Sequence, residues 1–164
     1  MHAFFLGSLF YTRFMTSTGH ALLGALIAAK FQNPYIALSL SLLSHYPADI
    51  LPHWDVGTHI SNKTSLRRFF EGSIDIAIGL VLSYFVYTYL AKDNNYILML
   101  LAIFFAQLPD WLSAPYTVFK MNISIIKKLD DFSDKLHNKL EKPWGIVTQV
   151  VTLGIVYIVL FVIF

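Results

Sequence analysis

The sequence predicts an all-α, polytopic membrane bundle of about five spans, with one amphipathic helix lying on its cytoplasmic surface. Three observations predict it. The 164 residues are 56% hydrophobic and only 13% charged, where soluble domains carry about 25% charged residues. Several apolar runs approach or exceed the length that crosses a bilayer. Short polar turns separate them, which is the pattern of hairpins. The length fits one membrane domain, residues 1–164. A net charge of +2 is small and scattered, so the basic residues read as topology signals and no nucleic-acid partner is expected. With no cysteine in the chain, disulfides and thiolate ligands are excluded.

Residues 1–14 are apolar but only about a dozen long. They lack the basic start and small-residue cleavage site of a signal peptide. They read as an interfacial lead-in, or as sequence upstream of a true start at Met15. Ser17 or Thr18 then caps a first helix over residues 19–31, only about 20 Å long. The Asn33-Pro34 turn signal starts a second helix over 34–50. A third span, 73–91, is apolar except for Asp75. The turn at 92–95 joins it to a fourth, 96–108, which Pro109-Asp110-Trp111 ends. Between 115 and 142 the chain turns polar. Ile123, Ile126, Leu129, Phe132, Leu136 and Leu140 recur there at steps of three and four, as in an interfacial amphipathic helix. Residues 143–164 carry no charge and are long enough for a full span. Pro143 suits the first turn and Trp144 the headgroup level.

Basic residues orient the bundle. Arg13, Lys63, Arg67, Arg68, Lys120, Lys127, Lys128, Lys135, Lys139 and Lys142 fall on one side, and only Lys30 and Lys92 on the other. The first side is therefore expected to be cytoplasmic, with the N-terminus inside and the C-terminus outside. On that topology the ionisable residues gather at the same face. His20 opens the first helix, and His45 and Asp49 close the second. His53, Asp55 and His59 follow in a loop, Asp75 begins the third span, and Asp110 ends the fourth.

Two types of side chain dominate that gathering, imidazole and carboxylate. His45 and Asp49 are four apart, so a helix puts them on one face with about 5–6 Å between Cβ atoms. An ordinary hydrogen-bonded pair has this spacing, and so does a pair sharing one divalent ion. Imidazole suits zinc, and carboxylates widen the choice to manganese or iron. Asp75 lies about one turn inside an apolar span, where a carboxylate demands a partner. His137 and Glu141 repeat the four-residue spacing on what reads mainly as a solvated surface helix.

The order Thr18-Gly19-His20, Gly24, then His45…Pro47-Ala48-Asp49…Pro52-His53…Asp55, then Gly57-Thr58-His59, resembles the small bacterial membrane-bound metal-dependent hydrolases. The likeness covers roughly residues 16–60, with Leu108-Pro109-Asp110 as an echo. The His-x-x-x-Asp segment followed by Pro and His also looks like the metal-binding segment of zinc-dependent phospholipase C and related nucleases. Two features depart from the hydrolase pattern: one residue is inserted in Pro47-Ala-Asp49, and Asp55-Val56 stand where an Arg would precede Gly-Thr-His.

The resemblance, taken with the gathered residues, implies a hydrolase of a bacterial inner membrane. It would hold one or two divalent ions, zinc foremost, through His20, His45, Asp49, His53 and Asp75. Such an ion polarises a phosphoryl or acyl oxygen and lowers the pKa of a bound water towards ~7. Asp110 or Asp55 would act as general base, or would orient a ligating histidine. A site at the membrane face meets lipids first, so a lipidic or phosphoester substrate is expected. Two other classes compete. An ion-conducting or transporting bundle also uses intramembrane Asp and His, and a non-catalytic scaffold would use the basic surface helix to bind anionic lipid.

Overall fold

The computed structural model describes residues 16–54, 64–117, 119, 121, 123–136 and 143–164. They form seven α-helices: α1 (Ser17–Lys30), α2 (Pro34–Ile50), α3 (Ser65–Leu90), α4 (Tyr96–Ala106), α5 (Leu108–Thr117), α6 (Ser124–Leu136) and α7 (Trp144–Ile158). A π-helical turn, Val159–Ile163, continues α7.

Helix α1 is the centre of the bundle and packs against α2, α3, α4 and α7. Its residues Ala21, Leu23, Ala25, Leu26, Ile27, Ala28 and Ala29 are all buried. A helix that is apolar all round, as this one is, belongs inside. The small side chains let its neighbours approach closely. A Cβ on Gly24 would stand 2.7 Å from the Ala102 carbonyl oxygen of α4, and one on Gly79 would stand 2.9 Å from Cα of Thr18. Both contacts are closer than a methyl group tolerates, so glycine sets the α1–α4 and α1–α3 spacing. On α3, buried Gly79, Ser83 and Tyr87 follow Asp75 at steps of four and make one stripe toward α1.

Each turn of the bundle is closed by a specific bond. Thr16 caps α1, its Oγ1 accepting from the Gly19 N–H at 3.1 Å; the expected caps Ser17 and Thr18 lie inside the helix. Asn33 caps α2, and Asn95 caps α4 by accepting from Leu98 N–H at 3.0 Å. The Tyr87 hydroxyl reaches the carbonyls of Asp93 and Asn95, both at 3.1 Å, and so ties the α3–α4 connection shut. Pro47 falls inside α2, and the helix continues through it to Ile50 as expected.

Two boundaries differ from the sequence expectation. Helix α3 starts at Ser65 instead of 73. Thr64 caps it and Arg67 Nε pairs with Glu71 at 2.7 Å, so a polar first segment is helical without being apolar. Pro109 does not end the fourth helix. The chain bends by 49° between α4 and α5 and carries on to Thr117, because proline in a first turn costs no hydrogen bond. The surface helix is resolved as α6, Ser124–Leu136, and residues 137–142 lie outside the described residues.

The span count is also corrected. Helices α3 and α7 with its π turn are long and apolar enough to cross a membrane, and bent α4–α5 makes a third if taken as one span. Helix α1 has 14 residues and α2 has 17, about 21 and 25 Å at 1.5 Å per residue. Both fall short of a ~30 Å core. The outer faces agree with a membrane setting. Ile74, Ile78, Val81 and Phe85 on α3, and Val150, Val151 and Ile155 on α7, are exposed. Monomeric soluble proteins rarely show an apolar surface this continuous.

Candidate metal centre

At one end of the bundle four side chains from three helices meet. His20 comes from the first turn of α1, His45 and Asp49 from the last turns of α2, and Asp110 from the first turn of α5. His20 Nε2 lies 3.2 Å from Asp49 Oδ1 and 4.0 Å from Asp110 Oδ2. His45 Nε2 lies 3.0 Å from Asp49 Oδ2 and 3.5 Å from Asp110 Oδ1. The imidazoles stack with centroids 4.2 Å apart and planes 19° from parallel. Each helix contributes for a local reason. The i,i+4 spacing puts His45 and Asp49 on one face of α2, and the bend before Pro109 turns Asp110 back toward the rings.

His45 is oriented from behind. Its Nδ1 lies 2.9 Å from the carbonyl oxygen of Ala106. A carbonyl can only accept, so Nδ1 carries the proton and Nε2 is the nitrogen presented to the carboxylates. His53 shows the same arrangement, Nδ1 donating to the Leu51 carbonyl at 2.7 Å. His53 is itself buried, and near enough to His20 for charges on the two rings to repel.

Burial gives the cluster its electrostatic character. His20 and His45 are 0% exposed and Asp49 is 1% exposed. His20 Nδ1 and Nε2 and His45 Nε2 are buried yet make no hydrogen bond among the described residues. The carboxylate oxygens stand at charge-pair distance but off the ring N–H direction. Buried polar atoms are almost always hydrogen-bonded, so these ring nitrogens are the atoms of the cluster that a cation would take as ligands. Two carboxylates packed against two imidazoles concentrate acidic groups in a buried place, which burial alone penalises. A divalent cation offsets that charge. Donors bound ~2.1 Å from one ion are at most ~4.2 Å apart, and all four nitrogen–oxygen separations, 3.0 to 4.0 Å, fall within that. One donor atom each from His20, His45 and Asp110 lie within 4.8 Å of one another.

Asp75, expected as a ligand, is placed differently. Its Oδ2 accepts from Ser17 N–H at 2.6 Å, and its Oδ1 from Thr18 N–H at 3.3 Å and Thr18 Oγ1 at 2.7 Å. The Thr18 hydroxyl also reaches the Asp75 carbonyl at 2.9 Å. The first amides of a helix lack acceptors within it, and a carboxylate there also meets the positive end of the helix dipole. The partner that Asp75 required inside an apolar span is the start of α1. Asp110, expected to act as base or orienting partner, lies within 4.0 Å of Nε2 of both imidazoles. Asp55, His59, His137 and Glu141 lie outside the described residues.

Sequence reasoning passed over the polar braces around the cluster. Gln107 Nε2 donates to the Ser17 carbonyl at 3.2 Å. Thr16 Oγ1 bonds Gln149 Oε1 at 3.1 Å, Gln149 Nε2 donates to the Trp54 carbonyl, and Thr148 Oγ1 donates to the Pro52 carbonyl. These bonds fasten the segment after α2, which carries His53, to α7. A glutamine within an otherwise apolar span was the available signal. No protein-family model, no characterised protein and no solved structure matches the chain.

Proposed function

We propose that this protein is a membrane-bound metal-dependent hydrolase with its centre at one end of the bundle. His20, His45, Asp49 and Asp110 would hold the ion, with His53 alongside. The observation that carries the reading is the convergence of two buried imidazoles and two carboxylates, with ring nitrogens directed into the cluster without hydrogen bonds. The donor set suits zinc, with manganese or iron as the other fits. Such an ion would supply Lewis-acid polarisation of an acyl or phosphoryl oxygen. Ala106, through its bond to Nδ1, would hold the His45 ring in place, as outer partners of ligating histidines do. Asp110 sits against both rings, 3.5 Å from His45 Nε2 and 4.0 Å from His20 Nε2, and would complete the donor set or orient a ligating histidine.

The substrate we propose is lipidic, with a phosphoester as the bond cleaved. Helix α6, with Ile125, Leu129 and Phe132 exposed beside Lys127 and Lys128, packs on α2 and α5. Phe132 meets Tyr46 with centroids 6.1 Å apart, one residue from His45. An apolar-and-basic surface beside the cluster suits a headgroup region. We take that end as cytoplasmic in a bacterial inner membrane, following the basic asymmetry. A conduit would need polar groups along its length, whereas the half of α1 beyond the cluster packs Ala25, Ala28 and Ala29 against Leu98, Met99 and Ala102. The test is metal analysis of detergent-purified protein, followed by turnover of phosphoester lipids with and without chelator. Metal at about one ion or more per chain, with chelator-sensitive turnover, is expected. Protein holding no metal, and regaining none on incubation with zinc, manganese or iron, ends the reading.

A further inference from the structure

The opposite half of the bundle holds a groove that the metal centre does not use. Helices α3 and α7 both pack on α1 and scarcely on each other, so a cleft remains between them with α1 as its floor. Leu22 and Leu26 line the floor, Val86 and Leu90 one wall, and Leu153 and Tyr157 the other, around a cavity of about 310 Å³. That is the lower end of the ~300–1,000 Å³ range of small-molecule sites.

The groove has a charged end. Leu22, Leu26 and Lys30 follow one another at steps of four on α1, and so do Leu153, Tyr157 and Phe161 on α7 and its π turn, so each trio shares a face. The Tyr157 and Phe161 rings stack with centroids 5.6 Å apart. Lys30 Nζ lies over the Phe161 ring, 5.8 Å from its centroid. The two stripes therefore run along the cleft and end together on an ammonium group. No carboxylate pairs with Lys30 among the described residues. An apolar slot of this size, open at the side of a bundle with lipid-suited outer faces and closed at its outer end by a cation, matches an amphiphile with an anionic head.

We propose that the groove between α1, α3 and α7 binds one acyl chain of an anionic phospholipid, with Lys30 holding the headgroup phosphate. The site stands independently of the metal centre. The protein would be reconstituted into bilayer nanodiscs of equal phosphatidylglycerol and phosphatidylcholine, then released and weighed by native mass spectrometry. One retained phosphatidylglycerol per chain, in preference to phosphatidylcholine, is expected. Lys30→Gln should lower that preference about fivefold, the worth of one basic residue near an anionic surface. Leu26→Trp with Leu153→Trp should fill the slot and abolish retention of either lipid, with helical circular dichroism unchanged. If the double variant fails to fold, Lys30→Gln alone decides, because it leaves the groove intact. Equal retention of both lipids by the wild type overturns the proposal, as does retention that the filled groove leaves unchanged. A dimer that groove filling converts to monomer would assign the cleft to a second copy of the chain and overturn it equally.

Discussion

The Nδ1–H of His45 is bonded to the carbonyl of Ala106, 61 positions later in the chain and 2.9 Å away in space. The bond joins the last turns of α2 to the end of α4, and it leaves Nε2 as the ring nitrogen that faces Asp49 and Asp110. The first prediction follows from it. His45→Ala and Asp49→Asn should each reduce bound metal and hydrolytic turnover by tenfold or more while insertion is retained, since neither adds charge to a span. Lys127→Ala with Lys128→Ala should spare the metal and weaken binding to anionic vesicles, at ~1 kcal/mol per basic residue. Metal content and vesicle co-flotation separate the two effects. The reverse pattern would favour a scaffold.

Protons compete with the ion for the same donors. Imidazole must be neutral to ligate, so apparent affinity should fall as the pH is lowered. Binding measured calorimetrically in two buffers of different ionisation heat should reveal protons released on binding. An affinity that does not fall with pH, together with binding that releases no protons, would rule out histidine ligation.

Asp75→Asn should destabilise the fold more than it weakens metal binding. Replacing the carboxylate removes charge-assisted bonds to the first turn of α1, each worth roughly 1.5–3 kcal/mol. A thermal midpoint lowered by several degrees, with metal stoichiometry retained in the folded fraction, is expected. Loss of metal at unchanged thermal stability would return Asp75 to the ligand set.

Two glycines should behave unlike two others. Gly24→Ala and Gly79→Ala place a methyl within 3 Å of backbone atoms, and overpacking of that kind costs about 1–3 kcal/mol. Gly72→Ala and Gly154→Ala meet nothing within 4 Å and should be neutral or gain up to ~1 kcal/mol from helix propensity. Unfolding of the four variants in mixed micelles ranks them directly.

Orientation is testable separately. Phe161 lies beside Lys30, at the end of the bundle remote from the His45 cluster. A reporter fused after Phe164 should therefore read as external, and accessibility tags near Arg67 as cytoplasmic. A cytoplasmic reading at Phe164 would invert the proposed sidedness.

Much of this was legible in the residues. Apolar runs and Asn-Pro or Asp-Asn turn signals located the helices, and the 34–50 boundary was met at both ends. The i,i+4 spacing of His45 and Asp49 anticipated their shared face, and topology anticipated His20 beside them. What the sequence could not convey was competition for a carboxylate. Asp75 and Asp110 both sit at the edges of apolar runs, and only the packing of α1 decides which one meets an imidazole and which one meets free amides. The span count failed for a related reason. Hydropathy records that α1 is apolar but not that surrounding helices, rather than lipid, cover its 14 residues. In the sequence the Pro109 bend looks like an ending, because proline carries the same signal in both roles.

The central place of α1 also bears on how the molecule is made. It is the first described helix to be synthesised, yet the amides of its opening turn find their acceptor only when Asp75 arrives, 57 and 58 positions later. Its imidazole, His20, waits longer still, until Asp110 is in place. The clamp on Thr16 and Trp54 comes last, from Gln149. A nascent chain therefore carries an unfinished hub through most of its translation, and the donor cluster comes together only after most of the bundle has been made.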